Sequence, residues 1–352
     1  MVATKKLLVY IAVPLVALAI VVGIALGVIF SRNNSEAIAS DSRQKLVIDH
    51  DGGADDAFAI TLSLLNEKYF GGPNLVALTT VHGNVNLSQV IINSDRILTL
   101  CNRNDIPIHA GSTKALISGI ESDYYYGFDG LGDDGYVPPG PIAVQPEPSA
   151  VALIELSKKY EGELIVIAIG PLTNVALAAR LDPEFIGRLA QLYVGGGHIY
   201  SDQYPKPEFN ADVDPEAYYI TADSAIADKV TFVAFSQVHL TMRLPIDWRH
   251  NVFGAIPTSI VKALNGFERV SSAQHDTYWE ELDPAVAAIA LNNSIVEEFR
   301  NTNNSIMLCG DQRAINTNEL ESSSPNSRVV YAGNANSYKQ FLFDVFSADI
   351  SS

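Results

Sequence analysis

Val47-Ile48-Asp49-His50-Asp51-Gly52-Gly53-Ala54-Asp55-Asp56-Ala57 is the stretch on which the reading of this chain turns. It closes the apolar run Lys45–Asp49, which reads as a buried strand, and it opens the periodic segment Asp55–Asn66, which reads as a helix with Ala57, Ile60, Leu64 and Leu65 on one face. Four carboxylates fall within eight residues. Such crowding costs repulsion unless a cation offsets it, and oxygen-only donors favour a hard cation such as Ca²⁺ or Mg²⁺. Gly52 and Gly53 permit the tight turn that aims both ends of the cluster at one point. A helix cap accounts for Asp55 or Asp56, but not for Asp49 and Asp51 at a strand's end. An EF-hand loop would need Gly and Glu where the chain has Ala54 and Ile60. A haloacid dehalogenase-type phosphatase also begins Asp-x-Asp after a strand, but has Thr or Val where this chain has Gly53.

Outward from this stretch the same alternation continues. Leu75–Thr79, Leu164–Ile169, Leu192–Val194 and Thr231–Phe235 read as strands; Leu87–Cys101 and Asn174–Leu181 read as helices. The pattern predicts an α/β fold with a mostly parallel central sheet flanked by helices, a Rossmann-like open sheet. Asn251–Leu291 is mainly helical in pattern and is expected over the sheet's carboxyl edge, where such sheets bind ligands.

The chain has 352 residues, 47% hydrophobic, enough for a large core. Asp and Glu number 40 against 23 Lys and Arg, a formal net charge of −17, which argues against a nucleic-acid partner. Two cysteines, Cys101 and Cys309, leave one disulfide or two thiols open. Leu7–Phe30 is an almost unbroken apolar run after Lys5 and Lys6, long enough for a hydrocarbon layer of ~30 Å. It is expected to be a transmembrane signal anchor at 7–30, with 1–6 cytoplasmic and 31–44 a tether. The catalytic domain, 45–352, would then be lumenal or extracellular, on a single-pass membrane protein or, after cleavage near Ala37-Ile38-Ala39, a secreted one. Sequons stand at Asn33, Asn86, Asn292 and Asn303, and Asn33 in the tether is the one expected to carry a glycan.

The acidic stretch closely resembles the Asp-x-Asp-x-Gly-x-Asp-Asp signature of the inosine-uridine preferring nucleoside hydrolases, and further segments match that family in order. These are Thr79–Asn84, Gly170–Asn174, Pro207–Asn210 with Asp214–Ala217, and Asp283–Ala287; Gly127–Gly132 resembles a family loop near the base pocket. The resemblance covers roughly residues 45 to 290. It implies a Ca²⁺-dependent enzyme that splits the N-glycosidic bond of a small-molecule ribonucleoside, commonly as a homo-oligomer. Carried over by position, Asp51 and Asp56 would ligate the ion by side chain, Ile169 by its carbonyl and Asp283 by its carboxylate. Asp55 would be the general base. Asn84, Glu208 and Asn210 would hold ribose hydroxyls, with Asp49 in support.

The departures gather at the leaving base. Leu282 and Tyr126 stand where many members have His, and Asp202 stands where the ribose segment has an upstream Asn. His275, Tyr278 and Trp279 lie nearby and are candidates to stack on or protonate the base. Two alternatives follow: a metal-dependent phosphatase, and a nucleoside-binding protein with weak or no turnover.

Overall fold

The computed structural model describes residues 43–135, 137–199 and 203–351. Gln44–Ser352 forms one compact unit. In chain order it begins β1 (Lys45–His50), α1 (Ala54–Phe70), β2 (Asn74–Thr80), α2 (Leu87–Leu100), β3 (Ile108–Ala110) and β4 (Val144–Gln145). There follow α3 (Ser149–Lys159), β5 (Leu164–Ala168), α4 (Thr173–Leu181), β6 (Gln191–Gly195), α5 (Phe209–Val213), α6 (Pro215–Asp223) and β7 (Val230–Val233). The remainder includes β8 (Leu244–Pro245), α7 (Ser259–Phe267), β9 (Tyr278–Trp279), α8 (Leu282–Leu291), β10 (Val296–Ile306), β11 (Asn316–Leu320), β12 (Ser327–Gly333) and α9 (Ala335–Ser347).

Ten strands form one sheet in the order β11-β10-β12-β7-β6-β5-β1-β2-β3-β4. From β4 to β12 the pairings are parallel; β10 is antiparallel to both β12 and β11. β8 and β9 pair separately. Strand β1 explains why its apolar run does not alternate. Leu46 and Ile48 enter a core with Phe58, Ile60, Leu264 and Phe346 on one side of the sheet. Val47 enters a second core with Leu153, Val166 and Val175 on the other. Each such fully buried aliphatic side chain contributes about 1.5–3 kcal/mol. From β1 the chain runs outward through β2, β3 and β4, then returns to place β5 on the other flank of β1. That reversal is a topological switch point, and the crevice outside the carboxyl ends of β1 and β5 is where a doubly wound sheet takes its ligand.

One part of the expected architecture is corrected. The α/β sheet is present, but the membrane-spanning helix expected before it is not carried forward. No helix among the described residues is long and apolar enough to cross a membrane. The longest described helix, α1, has 17 residues and includes Asp55, Asp56, Glu67 and Lys68, whereas a span needs about 20 predominantly apolar residues. The 7–30 run, most of the 31–44 tether and the Asn33 sequon lie outside the described residues. The single-pass placement with a lumenal or extracellular catalytic domain is withdrawn. Asn86 and Asn292 act as helix N-caps, each side chain accepting from a backbone N–H. Cys101 and Cys309 are both free thiols.

Candidate active site

The turn after β1 is built by its glycines. Gly52 sits at φ +83°, and a Cβ there would lie 3.0 Å from the Val90 backbone. Its carbonyl accepts from Asn93 Nδ2 at 2.8 Å. The chain can therefore reverse within two residues and enter α1 with Asp55 and Asp56 in the first turn, where the helix dipole favours negative charge. Asp56 Oδ2 accepts from Gly53 N at 2.7 Å, and Oδ1 from Asp51 N at 3.2 Å. Asp283 sits likewise in the first turn of α8, which lies against α1. Two helix N-termini from distant parts of the chain thus bring their carboxylates together. Ligand oxygens of Asp55, Asp56 and Asp283 all lie within 4.8 Å of one another, all buried.

None of the three is paired with Lys or Arg among the described residues. His50, 3.8 Å from Asp56, is a neutral ring, since burial lowers its pKa to about 3. Desolvation pushes Asp56 and Asp283 well above the ordinary carboxylate range, and the neighbouring aspartates push them further. Burial also raises Asp51 to about 7 and Asp55 to about 6. Converging buried carboxylates without a counter-charge, all offering oxygen, fit a hard divalent cation.

The four carboxylates of the opening stretch take different tasks. Asp51 turns its two oxygens to Asn84, accepting from its backbone N at 2.8 Å and its Nδ2 at 3.0 Å. Asp49 is fully buried behind the site; Oδ1 accepts from Thr79 Oγ1 at 2.6 Å and Asn174 Nδ2 at 2.8 Å, while Oδ2 has no partner. Burial raises its carboxyl to about 7. Asp55 lines a cavity together with Asn84, Ile169, Glu208, Asn210 and Asp283. Ile169 hydrogen-bonds from its N–H to Asp49 O at 2.9 Å, and its carbonyl accepts from Asn210 Nδ2 at 2.9 Å. Glu208 caps α5: its carboxylate accepts from Gly197, Asn210 and Ala211 N–H groups at 2.7, 3.1 and 3.1 Å. Burial raises its pKa against those bonds.

The rest of the cavity wall is largely aromatic and acidic and includes Asp123, Tyr125, Tyr126, His198, Phe235, His275, Glu280 and Glu281. Tyr126 donates to Glu281 Oε2 at 2.6 Å. Leu282 reaches this wall as well. Trp279 does not line it. It is 2% exposed, packed against Phe58 and Tyr338, and its indole N–H donates to Glu268 at 3.1 Å. Tyr278 covers Arg243 instead, 4.1 Å from ring centroid to guanidinium carbon. Asp202 lies outside the described residues. Tyr125, His198, Glu280 and Glu281 went unread in the sequence. The Tyr124-Tyr125-Tyr126 run and the histidine directly after Gly195-Gly196-Gly197 at the end of β6 were the available signals.

Fold and site together define an α/β enzyme whose acidic cluster, at the carboxyl edge of a parallel sheet, fits a metal ion beside a cavity. Residues 46–340 match the family model of the inosine-uridine preferring nucleoside hydrolases. The chain is 30% identical to the inosine-uridine preferring nucleoside hydrolase of Leishmania major over 262 residues, 73% of this chain and 82% of that one. It is 35% identical to a probable uridine nucleosidase of Arabidopsis thaliana, over 51% of this chain and 56% of that one. Among solved structures, a purine-preferring ribonucleoside hydrolase from Gardnerella vaginalis superimposes with a TM-score of 0.78 at 22% identity, over 87% of this chain and 99% of that one. A plant nucleoside hydrolase gives 0.78 at 23%, with the same coverage. The chain belongs to the inosine-uridine preferring nucleoside hydrolase family, and it is a ribonucleoside hydrolase. The phosphatase alternative gains nothing from these comparisons, and the reading as a binder without turnover gives way to the enzyme.

Proposed function

We propose that residues 45–352 form a Ca²⁺-dependent catalytic unit that binds a ribonucleoside by its sugar in this cavity and hydrolyses it to ribose and free base. The observation that carries this reading is the meeting of Asp55, Asp56 and Asp283 within 4.8 Å, beside a cavity that also presents Asn84, Glu208 and Asn210. Asp51, Asp56 and Asp283, with the Ile169 carbonyl, would hold the ion. Each carboxylate oxygen has more than one lone pair, so the bonds from Asn84 to Asp51 leave acceptor capacity for a cation. Bound there, Ca²⁺ supplies positive charge that orients sugar hydroxyls and favours deprotonation of a water.

The chain's own groups do the rest. Asn84, Glu208 and Asn210 fix the ribose, converting binding into positioning. The surrounding carboxylates favour the positive charge that develops on the ribose ring as the glycosidic bond breaks. Asp55, the carboxylate of the opening stretch that lines the cavity, accepts the proton of the attacking water. Asp49, bonded to Thr79 and Asn174, holds the end of β1 and does not touch substrate.

A reducing-sugar assay on inosine, adenosine, uridine and cytidine, with EGTA and with Ca²⁺ or Mg²⁺ restored, tests the reading. Ribose release that EGTA abolishes and Ca²⁺ restores is expected; release that persists in EGTA refutes the metal assignment. Asp55→Asn is expected to lower kcat by about 10²–10⁴-fold while Ca²⁺ still binds. Near-normal turnover in Asp55→Asn, with the loss found in Asp51→Asn instead, would move the proton acceptor to Asp51.

A further inference from the structure

Breaking an N-glycosidic bond leaves an electron pair on a base nitrogen, and a neutral base departs readily only if it gains a proton. Leu282 offers none. The Tyr126 hydroxyl is committed to Glu281. Two imidazoles line the cavity, His198 and His275. Burial lowers the pKa of His198 to about 4, so it carries no spare proton at neutral pH. Its ring lies tilted against Tyr204 and edge-on to Phe235, and its buried Nδ1 has no hydrogen-bond partner.

His275 is placed differently. It is half-buried in the turn between the Arg269–Ser272 helix and β9. Its Nε2 meets the hydroxyl of Tyr125, a second cavity-lining residue on the loop that carries Tyr126. Further hydrogen bonds tie the two loops together. Gln274 Nε2 donates to Tyr125 O at 3.2 Å, and Arg269 donates to Gly132 O through Nη2 at 2.6 Å and Nε at 3.1 Å. The Tyr125 phenol stays protonated, because burial and the nearby Glu281 and Asp55 push its pKa up. Its hydroxyl can donate to Nε2 of the neutral ring, or accept from Nε2–H of the imidazolium, so it holds the ring in place in either state.

We propose that His275, held by Tyr125, is the general acid that protonates the departing base, with Tyr125 as its positioning residue. This rests on the nucleoside hydrolase reading above. As the C1′–N bond breaks, its electron pair passes to the base, and the His275 imidazolium gives its proton to a base heteroatom. Water adds to C1′ and gives up its proton to the site carboxylate. The products are ribose and neutral base, and the half-buried His275 regains a proton from solvent.

The test compares inosine with 4-nitrophenyl riboside, whose phenolate leaves without protonation. His275→Gln is expected to lower kcat on inosine by about 10²–10⁴-fold and to leave 4-nitrophenyl riboside within about threefold. Tyr125→Phe is expected to show the same selectivity, weaker, in kcat and not in KM. A loss on inosine less than about tenfold larger than that on 4-nitrophenyl riboside overturns the assignment, because misfolding or lost sugar binding lowers both alike. A wild-type enzyme idle on both substrates would sink the hydrolase reading itself.

Discussion

Asn84 grips Asp51 with two donors, its backbone N–H at 2.8 Å and its side-chain amide at 3.0 Å, so that a residue of the loop after β2 fixes the carboxylate that directly follows β1. The amide also lines the cavity. Asn84→Ala keeps the backbone bond but removes the side-chain donor and, with it, the sugar contact proposed above. We expect kcat/KM to fall by about 10²-fold through lost positioning, with Tm nearly unchanged. Steady-state kinetics beside a melt checks this; a kcat/KM within threefold of wild type would show that Asn84 is only a turn residue.

Gly83 is closed to any side chain. A Cβ there would lie 1.9 Å from Asp51 Oδ2, and Asp51 has no freedom to withdraw from Asn84. Gly83→Ala should cost about 2–4 kcal/mol and lower Tm by roughly 5–10 °C, with activity lost. Gly71→Ala is the control: φ is +67° but nothing lies within 4 Å of the added Cβ, so only the left-handed backbone cost of about 1–2 kcal/mol remains. Similar Tm losses in the two variants would refute the steric argument.

Asn210 ties two strand ends. Its Nδ2 donates to Ile169 O at 2.9 Å and to Gly195 O at 3.4 Å, while its buried Oδ1 has no partner. Asn210→Ala leaves both carbonyls without that donor, a loss of about 1–3 kcal/mol, and removes a cavity amide. We expect a lower urea midpoint together with a raised KM for ribonucleoside. A raised KM alone would mean that the amide serves substrate and not the carbonyls.

Metal removal should change how stability depends on pH. Asp49 and Asp51 are raised to about 7 and Asp55 to about 6, each chiefly by burial. A carboxyl with a raised folded pKa supports the fold below its unfolded value, and that support is lost as pH rises through the folded value. His50, lowered to about 3, acts oppositely, but only below its ordinary 6.5. In chelator, therefore, Tm should fall as pH rises from 6.5 through about 7. Ca²⁺ should restore it, and restore more at higher pH, because the ligands must be deprotonated to bind. Melts across that range in chelator and in Ca²⁺ check this; a flat profile in chelator would show that the carboxylates are not held protonated.

Much of this was written locally in the chain. Lys45–Asp49 and Leu164–Ile169 are apolar without alternation because their strands are buried on both faces, and that pattern carries the parallel sheet. Gly52, Gly53, Asp55 and Asp56 announce their turn and helix start through backbone freedom and the helix dipole, both local properties. The tertiary structure decided what sequence distance hides. It placed Asp283 beside Asp55 and Asp56, committed Asp51 to Asn84, and sent Trp279 into the core against Phe58 while its near neighbour His275 met Tyr125 at the cavity. It also set an antiparallel β10 against β12, where the polar β10 carries no run of buried residues to read. Local chemistry fixes what each segment can become, but which side chains share a space depends on how separate segments pack.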